Sequence, residues 1–200
     1  MNGLDSVESD SGDTVFRDVI MLALAGFVAI VIILLPHLNP PAKAVEAAPP
    51  PGNIIVEIRW PDNLDTDVDL WVQAPGDMPV GYSNQGGVIF NLLRDDRGHR
   101  DDVSKVNYEI AYTRGMPAGE YIVNLHLYRN MSEQLPIPVT IVASVKPNPK
   151  VSAIRLVKSE IRLEYLNQEV TVFRFRLNEQ GRLVQGSVHA MPKKLRTAAK

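Results

Sequence analysis

The chain has 200 residues, a formal net charge of −2 and no cysteine. The lack of cysteine excludes disulfide bonds and thiolate metal sites. The slightly negative charge gives no electrostatic case for nucleic acid as a partner.

The first 17 residues form a polar, acidic tail, which we expect to be disordered. Residues 1–16 carry four carboxylates and no Lys or Arg. An uncharged apolar run follows at 19–35, and residues 18–38 are long enough to span a hydrocarbon core of roughly 30 Å at about 1.5 Å per residue. We therefore predict a transmembrane helix over 18–38, capped at its start by Asp13 or Thr14.

A cleaved signal peptide is the competing interpretation of this helix. A signal peptide begins with a basic segment, which residues 1–16 lack, but an Ala-Lys-Ala triplet at 42–44 leaves cleavage open. We expect an uncleaved single-pass helix in a bacterial inner membrane. A short tail before one anchor helix favours an N-terminus in the cytoplasm and a C-terminal domain in the periplasm.

Three further regions follow the helix. Residues 39–52 contain five prolines and four alanines, which predicts a semi-rigid linker. Residues 53–188 are long enough to form one domain with its own core. Residues 189–200 hold a basic cluster, which we interpret as a solvated tail.

Short segments that alternate apolar and polar side chains recur through residues 53–188, as half-exposed antiparallel strands do. Turn signals separate them, and the spacing predicts nine or ten strands in an antiparallel β-sandwich. The clearest segments are 54–58, 68–72, 121–128 and 171–177. Within them we expect Asn124 and His126 to face solvent, and Thr171 to share a face with Phe173.

Asp18 lies at the start of the predicted membrane helix, beside Arg17. At this boundary it can be a plain flanking charge, whereas a carboxylate inside a membrane is functional by default. The pattern FRDVIML at 16–22, followed by an apolar run and a proline, resembles the membrane segment of the ExbD/TolR/MotB group. These proteins are B-type subunits of ion-driven stator complexes, and the resemblance covers residues 14–38.

The resemblance implies a role for Asp18 and a set of partners. Asp18 would carry the proton, and two such helices would form a homodimer inside a pentameric ring of polytopic A-type subunits. Arg17 departs from the apolar residue that ExbD and TolR have at this place, and it can pair with Asp18.

An acidic cluster opens the β-domain. On an extended strand, Asp65, Asp67 and Asp69 would share one face about 6.6 Å apart, and Asp95 and Asp96 lie on a later loop. Oxygen-rich carboxylate clusters suit Ca²⁺, so these five residues are a candidate Ca²⁺ site, with Asp101 and Asp102 as further ligands. The alternatives are an acidic edge that blocks strand-to-strand aggregation, or aspartates that hold turns.

Residues 54–130 resemble the YfaP-like β-domains of bacterial exported proteins. The resemblance rests on DVDLWV at 67–72, a glycine pair at 86–87 and PAGEY at 117–121. It implies a β-fold and an exported domain but no defined activity. Trp71 stands where the family usually has a histidine.

These features predict the B-type subunit of a proton-driven inner-membrane motor. Residues 53–188 would be its periplasmic output domain, docking to an envelope or extracellular partner. The alternative is a membrane-tethered periplasmic binding module, with or without Ca²⁺, in which Asp18 is only a flanking charge. An enzyme is not expected, because the serines lack a G-x-S-x-G turn and a placed histidine.

Overall fold

The computed structural model describes residues 5–38, 53–99, 106–148 and 151–196. The chain divides into two units, residues 1–48 and 49–200. The first contains one long helix and the second a β-domain, so the predicted fold class is confirmed. The predicted linker at 39–52 lies outside the described residues.

The helix, α1, runs from Asp5 to Leu38. It ends where expected, but it begins well before the predicted caps, so the prediction of a disordered tail is wrong for residues 5–17. The acidic residues near its start suit the positive end of the helix dipole, which favours helix over coil there. The span Thr14–Leu34 is long and apolar enough to cross a membrane, a property that anchors and signal sequences share.

The β-domain contains eight strands in the described residues, fewer than the nine or ten predicted. They are β1 Ile54–Arg59, β2 Thr66–Gln73, β3 Phe90–Arg94, β4 Tyr108–Thr113, β5 Gly119–Asn130, β6 Ile137–Val145, β7 Ile154–Leu163 and β8 Glu169–Leu177. The larger sheet has the order β3-β4-β1-β6-β7 and the smaller one β2-β5-β8. All of the strand pairings are antiparallel.

The apolar faces of the two sheets form a single core. In β5 the alternation works as predicted, since Tyr121, Val123, Leu125 and Leu127 are fully buried and face that core. The Tyr121 ring stacks on Phe175 of β8 at 5.2 Å between centroids. Burial of these large side chains is the main stabilising contribution to such a sandwich.

Part of the outer face of the smaller sheet is covered, which corrects the expectation that Asn124 and His126 face solvent. Asn124 and His126 are both 0% exposed. The C-terminal residues lie over them: Leu195 is buried with Trp71 and Ile122. Leu195 and Arg196 thus pack on the sheet, whereas the side chains of Lys193 and Lys194 are exposed, as expected for a solvated tail. Residues 197–200 lie outside the described residues.

A second segment covers Trp71 from the other side. Val80 pairs with Val72 as an isolated bridge, which brings Gly81 against the indole. A Cβ atom on Gly81 would lie 2.4 Å from the Trp71 ring, so this close approach requires glycine.

A register shift in β8 explains why one face assignment fails. Phe173 pairs with Val123, but Thr171 pairs with Asn124, so Val172 is an extra residue between them. Such a bulge reverses which face the earlier residues point to. Thr171 thus lies on the outer face with Asn124, opposite to Phe173.

Candidate functional site

Two aspartates of β2 point to the outer face of the smaller sheet. Val68 and Leu70 face the core, and the alternating positions Asp67 and Asp69 are 6% and 3% exposed. Burial of two carboxylates on one short strand is unusual, because a charged side chain loses its hydration there unless it is paired.

Asp65 does not join them, contrary to the sequence-based expectation. It precedes β2, and its Oδ1 accepts hydrogen bonds from Arg129 Nη2 at 2.9 Å and from the His99 N–H at 3.1 Å. The hydrogen bond from Arg129 holds the pKa of Asp65 below its usual value. Asp65 is therefore an ion-pair partner at the rim.

Asp96 is likewise satisfied by its own surroundings. Its carboxylate accepts hydrogen bonds from Arg94 Nη2 at 2.8 Å, the Gly98 N–H at 3.0 Å and the Tyr108 N–H at 3.2 Å. This pattern corresponds to the alternative in which an aspartate holds a turn. Asp101 and Asp102 lie outside the described residues.

Three other carboxylates do meet. One oxygen from each of Asp69, Asp95 and Glu109 lies within 4.8 Å of the other two. Asp69 comes from the smaller sheet, Glu109 from β4 of the larger sheet, and Asp95 from the residue after β3. The cluster therefore sits where the edge strand β2 faces β4.

Glu109 is the deepest member and was missed by the sequence analysis. It is 0% exposed, and it accepts hydrogen bonds from the Leu70 N–H at 2.7 Å and the Asp96 N–H at 3.1 Å. Burial, with the nearby Asp69 charge, raises its pKa well above the usual value. The signal was present: in β4, Glu109 occupies the inward-facing register of the buried Ala111.

Asp67 and Asp95 face a cleft of about 350 Å³ beside this cluster. The cleft is lined by Asp67, Asp69, Tyr82, Gln85, Asp95, Arg97, Tyr128 and Arg129. Burial, followed by the charges of Asp69 and Asp95, raises the pKa of Asp67 to about 7. Within the described ranges, the side chains of Asp67 and Asp95 accept no hydrogen bond.

Asp69 is held by a polar chain that crosses the outer face. His126 Nδ1 lies 2.6 Å from Asp69 Oδ2, and Arg196 Nη1 contacts His126 Nε2. Because a guanidinium only donates, Nε2 accepts, so Nδ1 carries the hydrogen that is donated to Asp69. Burial still raises the pKa of Asp69 above its usual value, and the His126 hydrogen bond opposes the rise.

The C-terminal segment completes this chain. Asn124 Nδ2 donates to the Lys193 carbonyl at 2.7 Å and to Glu169 Oε1 at 2.8 Å, and the Lys193 N–H donates to Thr171 Oγ1 at 2.9 Å. These bonds fix residues 193–196 on the sheet. Both nitrogens of His126 are occupied, so the imidazole positions Asp69 and the C-terminal segment.

Asp18, the other predicted site residue, belongs to the helical unit. It lies on the exposed surface of α1, inside the apolar span Thr14–Leu34. It is therefore one turn further into this span than the boundary position expected for it.

Comparison with known proteins gives no relative for either site. No family model matches the chain, and neither the curated proteins nor the solved structures searched contain a match. The interpretation of both sites therefore rests on their geometry and chemistry.

Proposed function

We propose that the chain is the B-type subunit of a proton-driven membrane motor, with Asp18 as the proton carrier. The observation that supports this most is the place of Asp18 within Thr14–Leu34. Twenty-one residues extend about 32 Å as a helix, which matches the hydrocarbon core, and Asp18 lies about 6 Å inside the start of the span. A carboxylate at that depth needs a partner or a function.

The face of α1 that carries Asp18 is suited to close packing against another helix. Ala25 and Ala29 follow Asp18 by seven and eleven residues, which at about 100° per residue puts both within about 20° of it. Small residues spaced four apart let membrane helices approach closely. Asp18 would thus face a neighbouring subunit instead of lipid.

Arg17 does not prevent this role. Adjacent residues on a helix point about 100° apart and do not face each other. Arg17 can extend toward the polar headgroups while Asp18 faces a neighbouring helix. The departure from the apolar residue of ExbD and TolR is therefore compatible with a carboxylate that changes its charge.

In the proposed mechanism, protonation removes the charge of Asp18 and allows its helix face to pass an apolar wall. Deprotonation at an aqueous exit restores the charge and resets the helix. The assembly would contain two copies of this chain in a pentameric ring of A-type subunits. It would lie in a bacterial inner membrane, with the N-terminus in the cytoplasm and the β-domain in the periplasm acting on an envelope or extracellular partner.

The test begins with the full chain purified from its native membrane in mild detergent. We expect a polytopic membrane protein to co-purify in a ratio of five to two copies of this chain, measured by native mass spectrometry. The complex is then reconstituted into vesicles with a pH-sensitive dye, and proton flux is followed under an imposed gradient.

The Asp18→Asn variant should assemble normally and lose proton flux, because a neutral amide cannot take up and release the proton. Asp13→Asn is the matched control, since Asp13 precedes the apolar span of the same helix, and it should keep the flux of the parent. Equal flux in Asp18→Asn and the parent would overturn the proposal.

A second candidate is a membrane-tethered binding module with no transport role. The carboxylate cleft favours it, because that cleft gives the β-domain a binding site that needs no motor. In this case the full chain would purify without a polytopic partner, and Asp18→Asn would leave ligand binding by the β-domain unchanged.

A further inference from the structure

The carboxylates of the cleft are spaced as ligands of a single cation. Two Ca²⁺–oxygen bonds of about 2.4 Å span at most about 4.8 Å, and the oxygens of Asp69, Asp95 and Glu109 all lie within 4.8 Å of one another. An ion placed among them lies at most about 2.8 Å from all three, so shifts of a few tenths of an ångström in the side chains bring each oxygen into the Ca²⁺ bonding range of about 2.3–2.6 Å. No rearrangement of the strands that carry them is required.

Asp67 provides a second, independent observation. It is 6% exposed and lines the cleft beside this cluster, yet no donor within the described ranges satisfies its carboxylate. A buried carboxylate without a donor is strongly destabilising unless a positive charge compensates it.

The positive groups around the cleft compensate its carboxylates only in part. Arg129 Nη2 is bound to Asp65 Oδ1 at 2.9 Å and to the Arg97 carbonyl at 2.6 Å. His126 Nδ1 is bound to Asp69 Oδ2 at 2.6 Å, and Glu109 is held by backbone N–H groups that carry no full charge. The Arg97 side chain stands exposed at the rim. The four carboxylates thus converge with little compensation inside the cleft.

We propose that this cleft binds one Ca²⁺ ion, with Asp69, Asp95 and Glu109 as direct ligands and Asp67 as the fourth carboxylate that the ion neutralises. Oxygen-only ligands select a hard cation. Ca²⁺ tolerates irregular coordination from separate elements, whereas Mg²⁺ demands near-ideal octahedral geometry and keeps its water. The open side of the cleft, lined by Tyr82 and Tyr128, leaves coordination positions for water or an oxygen-bearing ligand. This site is independent of the role proposed for Asp18.

The ion would also join the two sheets. Asp69 lies on β2 and Glu109 on β4, so one cation would link the smaller sheet to the larger one at an edge where the sheets share no strand pairing. Because the unfolded chain lacks this arrangement, binding must raise the stability of the folded state.

The test uses the full chain in detergent micelles, stripped of metal with EDTA and then dialysed. Isothermal titration with CaCl₂ should show one site. At a hundredfold excess of Ca²⁺ over its Kd, the melting temperature should rise by roughly 5–10 °C. MgCl₂ at the same concentration should give a clearly smaller rise.

Asp95→Asn should fold, because Asp95 is half-buried and accepts no hydrogen bond within the described ranges, and it should lose most of the Ca²⁺ response. Glu160→Gln removes the same charge from an exposed position on β7 and should keep the full response. No heat of binding and no thermal shift at millimolar Ca²⁺ would overturn the site. A full response in Asp95→Asn would overturn the ligand assignment, and an equal response to Mg²⁺ would overturn the choice of Ca²⁺.

Discussion

Two buried carboxylates of the β-domain lie in opposite surroundings. Asp77 and Asp67 are almost equally hidden, at 8% and 6% exposed. Asp77 accepts hydrogen bonds from the backbone N–H groups of Met78, Val88, Ile89 and Phe90, at 2.8, 3.0, 2.7 and 3.3 Å. Asp67 accepts none within the described ranges. The exposed fractions are similar, but Asp67 lies deeper among protein atoms, and it lacks the donors that Asp77 has.

The two pKa values move in opposite directions because of both the burial and the donors. Burial acts on Asp77 to raise its pKa, but the four backbone hydrogen bonds outweigh this and hold the pKa below its usual value. Burial and the neighbouring carboxylates raise the pKa of Asp67 to about 7. Backbone donors fix the Asp77 carboxylate in its loop. The Asp67 carboxylate has no donor from the described part of the chain, so it is available to a positive group from outside the chain.

The loop around Asp77 is built closely on its carboxylate. A Cβ atom on Gly87 would lie 2.6 Å from Asp77 Oδ2, so the chain passes the carboxylate at a position where only glycine fits. The contrast with the open cleft at Asp67 predicts that removing each carboxylate will have opposite effects on stability.

Removal of the Asp77 carboxylate should have the largest effect. Asp77→Ala leaves four backbone donors without their acceptor in a mostly buried loop, and we expect a loss of about 3 kcal/mol in the free energy of unfolding. Urea denaturation followed by tryptophan fluorescence measures this, because Trp60 and Trp71 are both buried in the β-domain. Asp77→Asn, which keeps one oxygen, should lose less. A loss below about 1 kcal/mol in Asp77→Ala would contradict the structural role.

Removal of the Asp67 charge should act in the other direction. In metal-free protein at pH 8, Asp67→Asn relieves an ionised carboxylate that is buried beside Asp69 and Asp95. We expect a gain of about 1 kcal/mol in the free energy of unfolding. This is well below the value that the raised pKa of Asp67 alone would imply. Glu160→Gln, at an exposed position, should change stability little. Destabilisation by Asp67→Asn would mean that the carboxylate is already compensated.

The part of the fold that sequence predicted is the part set by local alternation. In β5, Tyr121 and Leu125 are apolar and fall on one side of an extended chain, and they form the core as expected. Asn124 and His126 fall on the other side, and a polar side chain on a strand normally faces water. They are buried because Lys193 and Arg196 return across them, and a contact over about 70 residues leaves no trace in local periodicity.

The candidate site also divides into residues that local sequence patterns reveal and residues that only tertiary contacts reveal. Asp67 and Asp69 could be found from their alternation on β2. Asp65 and Asp96 were included in the predicted site, because local spacing does not show that Arg129 and backbone N–H groups donate hydrogen bonds to them. Glu109 comes from the other sheet, so its place in the cluster depends on how the two sheets pack.

The smallest expected effect is a pH dependence of the difference in free energy of unfolding between Asp67→Asn and the parent, measured in EDTA. The pKa of Asp67 is raised from 3.8 to about 7 in the folded state, so its contribution to stability is fully present below pH 4 and is lost as the pH rises through 7. The variant lacks this loss, and its advantage should shrink from about 1 kcal/mol at pH 8 to a few tenths at pH 4.

The contribution of Asp77 to the free energy of unfolding should change with pH in the opposite direction, and it serves as an internal reference. Its pKa is lowered in the folded state, so its contribution is present above the usual aspartate value and is lost as the pH falls through the folded-state pKa. Asp67→Asn should leave this acid limb unchanged and flatten only the limb between about pH 4 and 8. A variant that keeps the full slope of the parent up to pH 8 would show that Asp67 is ionised throughout this range. Its carboxylate would then have a partner already, and the contrast with Asp77 would fail.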